Sequence, residues 1–423
     1  FELHGFAPVE TRAVEPLEQL LSKGETSKEV YVLRRLQADA EGTDAGIGLH
    51  FDLTVPFARY VLENSGKLEF PFRRYQIQKV WRGERPQEGR FREFTQADID
   101  IVGSDALAFH HDIEVARVMA EALVNLPLPA MRLQVNNRKL IQGFYAGIGA
   151  TDVDVVMRVM DKIDKVPAET VAKLLVAEAG LSDEQAARCL ELARIRSTDT
   201  SFVERVRALG VGNDLLEEGL TELAAVVDGC ASVTNERFVV EADLRIARGL
   251  DYYTGTVFET VMEGFEGLGS ICSGGRYDSL ASDGRTTYPG VGISLGISRM
   301  LVPLLAHDLL RADRSVPSAV LVALPDEASR ARCDEIAQEL RGNGVPTEVA
   351  ATPQKFGKQI RYAERRGIPF VWFPGDGAGG SHQVKDIRSG EQTDADPSTW
   401  QPPVEDLTPT ITSHAQHTSK EIS

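Results

Sequence analysis

Residues 72–103 read FRRYQIQKVWRGERPQEGRFREFTQADIDIVG. Two runs of alternating residues flank a loop over positions 83–92, which is the pattern of an antiparallel hairpin. Side chains alternate across a strand. In the first run Tyr75, Ile77, Lys79 and Trp81 therefore share one face, and Gln76, Gln78, Val80 and Arg82 the other. In the second, Phe94, Gln96, Asp98 and Asp100 oppose Thr95, Ala97, Ile99 and Ile101. An exposed polar face is the plain reading of Gln96, Asp98 and Asp100. Against it stand Phe94 on that same face and the arginines at 82, 85, 90 and 92 beside it. A guanidinium fork binds phosphate oxygens in pairs, and an aromatic face stacks on a purine. Together they describe a nucleotide site on a hairpin.

Outward from the hairpin, residues 1–151 mix helical patterns (14–21, 57–64, 106–123) with further strand candidates (48–54, 131–136). Paired strands with helices set apart from them predict an α+β fold with an antiparallel sheet. Over 152–232 the apolar spacing becomes helical (154–163, 168–179, 183–194, 202–209) and strand runs vanish, so this segment reads as a helical insertion. Strands return within 233–312, at 238–242, 256–262 and 290–295. Residues 317–400 alternate strand and helix (319–324, 329–343, 347–350, 356–366, 370–373), which predicts a small α/β domain with a parallel sheet. From 401 to 423 the chain is polar and reads as a flexible tail.

The chain has 423 residues, 42% hydrophobic and 26% charged, the composition of an ordinary globular protein. No run approaches the ~18 apolar residues of a membrane span, and no signal segment opens the chain. Four scattered cysteines without a C-x-x-C pair argue against structural zinc and disulfides and for a cytoplasmic protein. The net charge is -17, yet residues 73–92 hold seven basic and two acidic side chains, and residues 355–366 five and one. Positive islands on an acidic body suit a selective anionic ligand rather than DNA coating.

No GxxxxGK[ST] loop or HExxH is present. The nearest metal-like cluster is His110, His111, Asp112 and Glu114, which reads as a helix surface with its histidines pointing apart. No metal site built from the protein's own side chains is expected.

Several segments resemble class II aminoacyl-tRNA synthetases. WRGERP (81–86) followed by GRFREF (89–94) resembles motif 2, and GVGISLGISR (290–299) resembles motif 3, a strand turning into a helix with an arginine near its start. The closer match is to the histidine-specific branch. RGLDYY (248–253) and SGGRYD (273–278) resemble its two signatures, HFDLTVP (50–56) its histidine-binding strand, and residues 319–400 its anticodon-binding domain. Order and spacing together make the match specific.

The resemblance implies ATP-dependent activation of L-histidine to histidyl-adenylate, and transfer to the 3' end of tRNA(His). Mg2+ would accompany ATP, and the chain would form a homodimer. Asp52 and Thr54, two apart on one expected strand, would hold the α-ammonium of histidine with Gln96. Asp100 and Tyr253 would grip the imidazole nitrogens, with Tyr252 in the same histidine site. Arg82 would bind the α-phosphate, with Arg248 opposite it. Arg299 would hold the γ-phosphate and Arg90 would add a β/γ contact. Glu84 would accept from the adenine amino group and Phe94 would stack on the ring. Segment 356–366 is the expected anticodon contact, and loop 83–92 the acceptor-stem contact. Each residue alone has a plainer reading: a packed tyrosine, a surface arginine, or turns at Gly249, Gly274 and Gly275.

Residues 5–16 resemble only the end of motif 1, so a preceding segment is expected. Three rivals remain. A regulatory subunit of ATP phosphoribosyltransferase is expected to lose the signature arginines and the anticodon domain, both kept here. A synthetase for another amino acid fits Asp100, Tyr253 and RGLDYY less well. A general RNA-binding scaffold has no need of Asp52, Thr54, Gln96 and Asp100.

Overall fold

The hairpin forms as its alternation dictates. Phe72–Trp81 pairs antiparallel with Glu93–Val102, with Phe72 opposite Val102 and Val80 opposite Phe94. A computed structural model of the chain describes residues 1–21, 29–35, 46–246, 253–279, 281–375 and 380–413. It divides into two compact units, Phe1–Leu304 and Leu305–Ser423.

In the first unit the hairpin belongs to a nine-stranded sheet. Its order is Ala7–Pro8, Phe72–Trp81, Glu93–Val102, Gly290–Gly296, Cys272–Tyr277, Thr256–Met262, Met131–Asn137, Phe238–Asp243 and Arg196–Ser197. The run from Phe72–Trp81 to Met131–Asn137 is antiparallel throughout. Ala7–Pro8 and Phe238–Asp243 join in parallel. The helix His110–Val124 packs on Glu93–Val102 and Gly290–Gly296 and buries Val115, Met119 and Leu123. Most of the hairpin's second strand, from Gln96 onward, is buried. The expected polar face is thus interior, where Arg74 and Tyr277 engage Asp100.

Several elements differ from the sequence reading. Residues 14–21 form a strand, Val14–Pro16, and one helical turn, Leu17–Leu20, rather than a helix. Pro16 biases the residue before it toward extended backbone. Residues 48–54 do not form one strand. The strand is Ile47–Leu49, and Thr54 already opens the helix Thr54–Asn64. The Asp52 carboxylate accepts the Val55 amide at 3.1 Å, and Pro56 is tolerated in a first turn, where its missing N–H costs nothing. Asp52 and Thr54 therefore flank a helix start instead of alternating along a strand.

In the segment read as helical, Val153–Met160, Ala168–Ala179, Asp183–Ala193 and Phe202–Arg207 are helices. Ser182 and Gln185 close a reciprocal capping box. A two-residue strand, Arg196–Ser197, interrupts them and pairs with Ala242 and Asp243. It is too short to carry a periodic signal. Two further helices, Arg138–Gly147 and Asp214–Gly229, cross closely through glycines. A Cβ on Gly143 would lie 2.5 Å from the Leu216 nitrogen, and one on Gly219 would lie 2.2 Å from the Leu140 nitrogen. Gly219→Ala is expected to push these backbones apart and lower unfolding stability by about 1–3 kcal/mol. Urea denaturation followed by circular dichroism checks this; a variant as stable as the parent would show that the crossing can relax.

The second unit holds a five-stranded sheet in the order Thr347–Val349, Val320–Val322, Phe370–Phe373, His382–Asp386, Gln392–Ala395. Its first three strands are parallel, as the alternating pattern predicts. An antiparallel hairpin, His382–Asp386 with Gln392–Ala395, extends it beyond the expected parallel sheet. Order also persists past residue 401. Ile411–Ser413 pairs with Leu310–Ala312, and Asp406 takes Arg388 on both oxygens, at 2.7 and 2.8 Å. Among the described residues no helix is long and apolar enough to cross a membrane. All four cysteines are buried and unbridged.

Candidate active site

The hairpin strands, the turn before the helix Thr54–Asn64 and the strand Gly290–Gly296 enclose a cavity of about 360 Å³. Asp52, Thr54, Arg82, Glu84, Arg90, Phe94, Gln96, Tyr253 and Arg299 all line it. These residues come from distant parts of the sequence and from different elements. Arg248 and Tyr252 lie outside the described residues.

Arg82 follows directly on the first hairpin strand. Its Nε donates to the Phe51 carbonyl at 3.0 Å, and its guanidinium sits 5.1 Å from the centre of the Phe94 ring. Arg90 reaches Glu84 at 3.3 Å. Arg299 lies in the first turn of Ile297–Ala306, and its Nη1 donates to the Ser270 carbonyl at 2.9 Å. Gly89 lies alongside with φ of 69°, and a Cβ there would come 2.9 Å from Leu268 Cδ2. Three guanidiniums on one wall suit a polyanion. Beside them, burial raises the Glu29 carboxyl above its ordinary range, against the pull of Arg82.

Tyr253 lies against Gly275, where a Cβ would come 2.7 Å from its ring. Burial, and then the negative charge of Asp100, Asp52 and Asp98, hold its phenol protonated far above the usual range. A neutral phenol both donates and accepts a hydrogen bond.

Asp100 does not line the cavity. Its Oδ2 takes Arg74 at 2.7 Å and its Oδ1 accepts from the Tyr277 hydroxyl at 2.8 Å. Both oxygens thus have a partner behind the lining, and each keeps a second lone pair. Gly292 is needed for that fit: a Cβ there would lie 2.1 Å from Asp100 Oδ1.

The positive island also shrinks. Arg73 pairs with Glu114, Arg74 with Asp100 and Lys79 with Glu93. Arg85 and Arg92 are exposed away from the lining, so of the island only Arg82 and Arg90 meet the cavity. The sequence pattern alone does not single out Arg74, Tyr277 and Ser294. Arg74 looked like surface charge, and nothing in the alternation marks which face of a strand is inside.

The histidines of the metal-like cluster do not point apart, because they begin the helix rather than lie within it. Their ring centres are 3.9 Å apart, and ligand atoms of His110, His111 and Glu114 fall within 4.8 Å of one another. Arg73 already engages that glutamate.

In the second unit the helix Phe356–Arg366 presents Lys358, Arg361, Tyr362 and Arg365 to a cavity of about 540 Å³. Arg366 lies 5.2 Å from the centre of the Tyr362 ring.

Comparison with known proteins matches the same two regions. Residues 1–300 fit the family model described as histidyl-tRNA synthetase, and residues 318–400 the one described as anticodon binding domain. A histidine–tRNA ligase of Cutibacterium acnes is 60% identical over 421 residues, 97% of this chain and 92% of its own length. One of Micrococcus luteus is 60% identical over 425 residues, with the same coverage. The crystal structure of histidyl-tRNA synthetase from Nostoc superposes with a TM-score of 0.81 at 32% identity, covering 93% of this chain and 90% of that one. The arginine-walled cavity and the nearly full-length similarity converge: this chain belongs to the histidyl-tRNA synthetase family.

Proposed function

We propose that the chain activates L-histidine with ATP and transfers it to the 3' end of tRNA(His). One observation carries the reading: a single cavity combines arginines and a stacking ring with a carboxylate, an amide and a phenol. The nucleotide arrives as its Mg2+ complex. Phe94 stacks on adenine and Glu84 accepts from its amino group, while Arg90 and Arg299 hold the outer phosphates. Asp52, Thr54 and Gln96 take the α-ammonium, and Tyr253 meets the imidazole. The histidine carboxylate attacks the α-phosphorus, and the bond to pyrophosphate breaks as Arg82 neutralises the charge that builds on the phosphoryl oxygens. A hydroxyl of the terminal tRNA ribose then attacks the acyl carbon, releasing AMP. Asp100 acts from behind the wall, through Arg74 and Tyr277.

The tRNA would be met by loop 83–92 at its acceptor end and by Phe356–Arg366 at its anticodon, where a tyrosine among cations suits a splayed base. A homodimer and a cytoplasmic setting complete the proposal. The regulatory-subunit alternative fits poorly, since Arg82, Arg299 and the second unit are all kept. Pyrophosphate exchange with each of the twenty amino acids tests the reading. Exchange with histidine alone is expected; exchange with a different amino acid, or none, overturns it.

A further inference from the structure

Arg74 is fully buried on the hairpin's inner face. Its Nη2 stands 2.7 Å from Asp100 Oδ2 and 3.9 Å from Asp98 Oδ2. The same guanidinium reaches the Leu53 carbonyl and Gln76, both at 3.4 Å, and lies 4.3 Å from the centre of the Phe57 ring. Asp98, equally buried, accepts from Gln96 Nε2 at 3.0 Å and from the Ser294 hydroxyl. Gln96 in turn lines the cavity.

We propose that Arg74 is a positioning residue for the amino-acid part of the site: through Asp98 it aims the carbonyl oxygen of Gln96 at the substrate's ammonium group. The argument is one of hydrogen-bond polarity. An ionised carboxylate only accepts. While Asp98 is a carboxylate, Gln96 must turn its NH2 toward it, which leaves the amide oxygen for the ligand. A neutral Asp98 gains a donor and no longer fixes the amide, so N–H groups can turn toward the substrate's cation. Arg74 is the cation that opposes this. Asp98 otherwise faces the carboxylate of Asp52 across the turn, the phenol of Tyr253 and the thiol of Cys272. Burial first, and Asp52 with it, raise its carboxyl above the ordinary range, against the pull of Arg74 and then of the hydrogen bonds from Gln96 and Ser294. The Leu53 contact adds a second effect, since it fixes the turn that carries Asp52 and Thr54.

The inference rests on the histidine-binding reading and is tested beside it. KM for histidine and for ATP would be measured by pyrophosphate exchange in the parent, Arg74→Met, Arg74→Lys and Asp98→Asn. Inhibition by imidazolepropionate, which is histidine without its ammonium, would be measured alongside. Arg74→Met is expected to raise KM for histidine tenfold or more, on the order of one charge-assisted hydrogen bond, with KM for ATP changed less than about twofold. Discrimination between histidine and imidazolepropionate should fall by a similar factor, with Arg74→Lys intermediate. Asp98→Asn keeps the buried cation beside Asp100 and should lose the same discrimination, so the test survives if Arg74→Met does not fold. Unchanged discrimination in the folded variants, or a parallel rise in both KM values, overturns the inference alone. A parent without histidine-dependent exchange sinks the functional reading instead.

Discussion

Arg82→Ala is expected to lower kcat for histidine-dependent pyrophosphate exchange by roughly 10²–10³-fold, the usual loss when a fixed donor to a developing charge is removed. The guanidinium is held at two places. Nε is anchored on the Phe51 carbonyl at 3.0 Å, and the plane lies 5.1 Å from the centre of the Phe94 ring. The terminal nitrogens are thereby positioned before the substrate arrives, so little reorganisation is needed at the moment of reaction. Lysine offers neither the planar fork nor a second anchoring nitrogen, and Arg82→Lys should recover less than about a tenth of the parent rate. Arg82 is half-buried and among the described residues no carboxylate pairs with it at salt-bridge distance, so the fold should persist, and the far-ultraviolet spectrum of the variant checks that. If kcat stays within tenfold and only KM for ATP rises, Arg82 binds ground state and transition state alike and is not the group that meets the developing charge.

The hairpin was legible because its period of two is long, unbroken and punctuated by a loop of glycine, proline and arginine. The same periodicity separates two faces but does not say which one is wet. Gln96, Asp98 and Asp100 look like a solvated edge until Gly290–Gly296 pairs beside them and Arg74 crosses beneath. That pairing is a contact nearly two hundred residues away in sequence, and local pattern carries no trace of it. For the same reason Arg74 counts toward the positive island of 73–92, although its charge is spent internally. Asp52 shows a different limit. HFDLTVP reads as a strand by alternation, but an aspartate three residues before a free amide competes as a helix cap, and here the cap wins. Asp52 and Thr54 line the cavity all the same. Short elements such as Arg196–Ser197 and Ile411–Ser413 exist only through their partners.

A second large effect is expected away from the cavity. Arg276→Met should lower the unfolding free energy by about 3–5 kcal/mol at neutral pH, the loss typical when one partner of a buried ion pair is removed. Arg276 lies on Cys272–Tyr277 and clasps Asp112 of the helix His110–Val124 through Nη2 at 2.6 Å and Nε at 3.1 Å. It thereby ties helix to sheet. Burial raises the Asp112 carboxyl above its ordinary range, and Arg276 is the main influence pulling it back. Without Arg276 the folded-state pKa rises further, while the unfolded value stays near ~3.9. A carboxyl whose folded pKa lies above its unfolded one lends stability below the unfolded value and loses it as pH climbs through the folded one. The variant should therefore be weakest relative to the parent at neutral pH and regain part of the deficit as pH falls toward the carboxylate range. What remains in acid is lost packing and hydrogen bonding. Denaturant titrations of both proteins across that interval measure the difference, and a deficit independent of pH would mean that Arg276 acts by shape and not by charge. Asp112→Leu added to Arg276→Met removes the stranded carboxylate, and should restore most of the loss at neutral pH if charge is the cause.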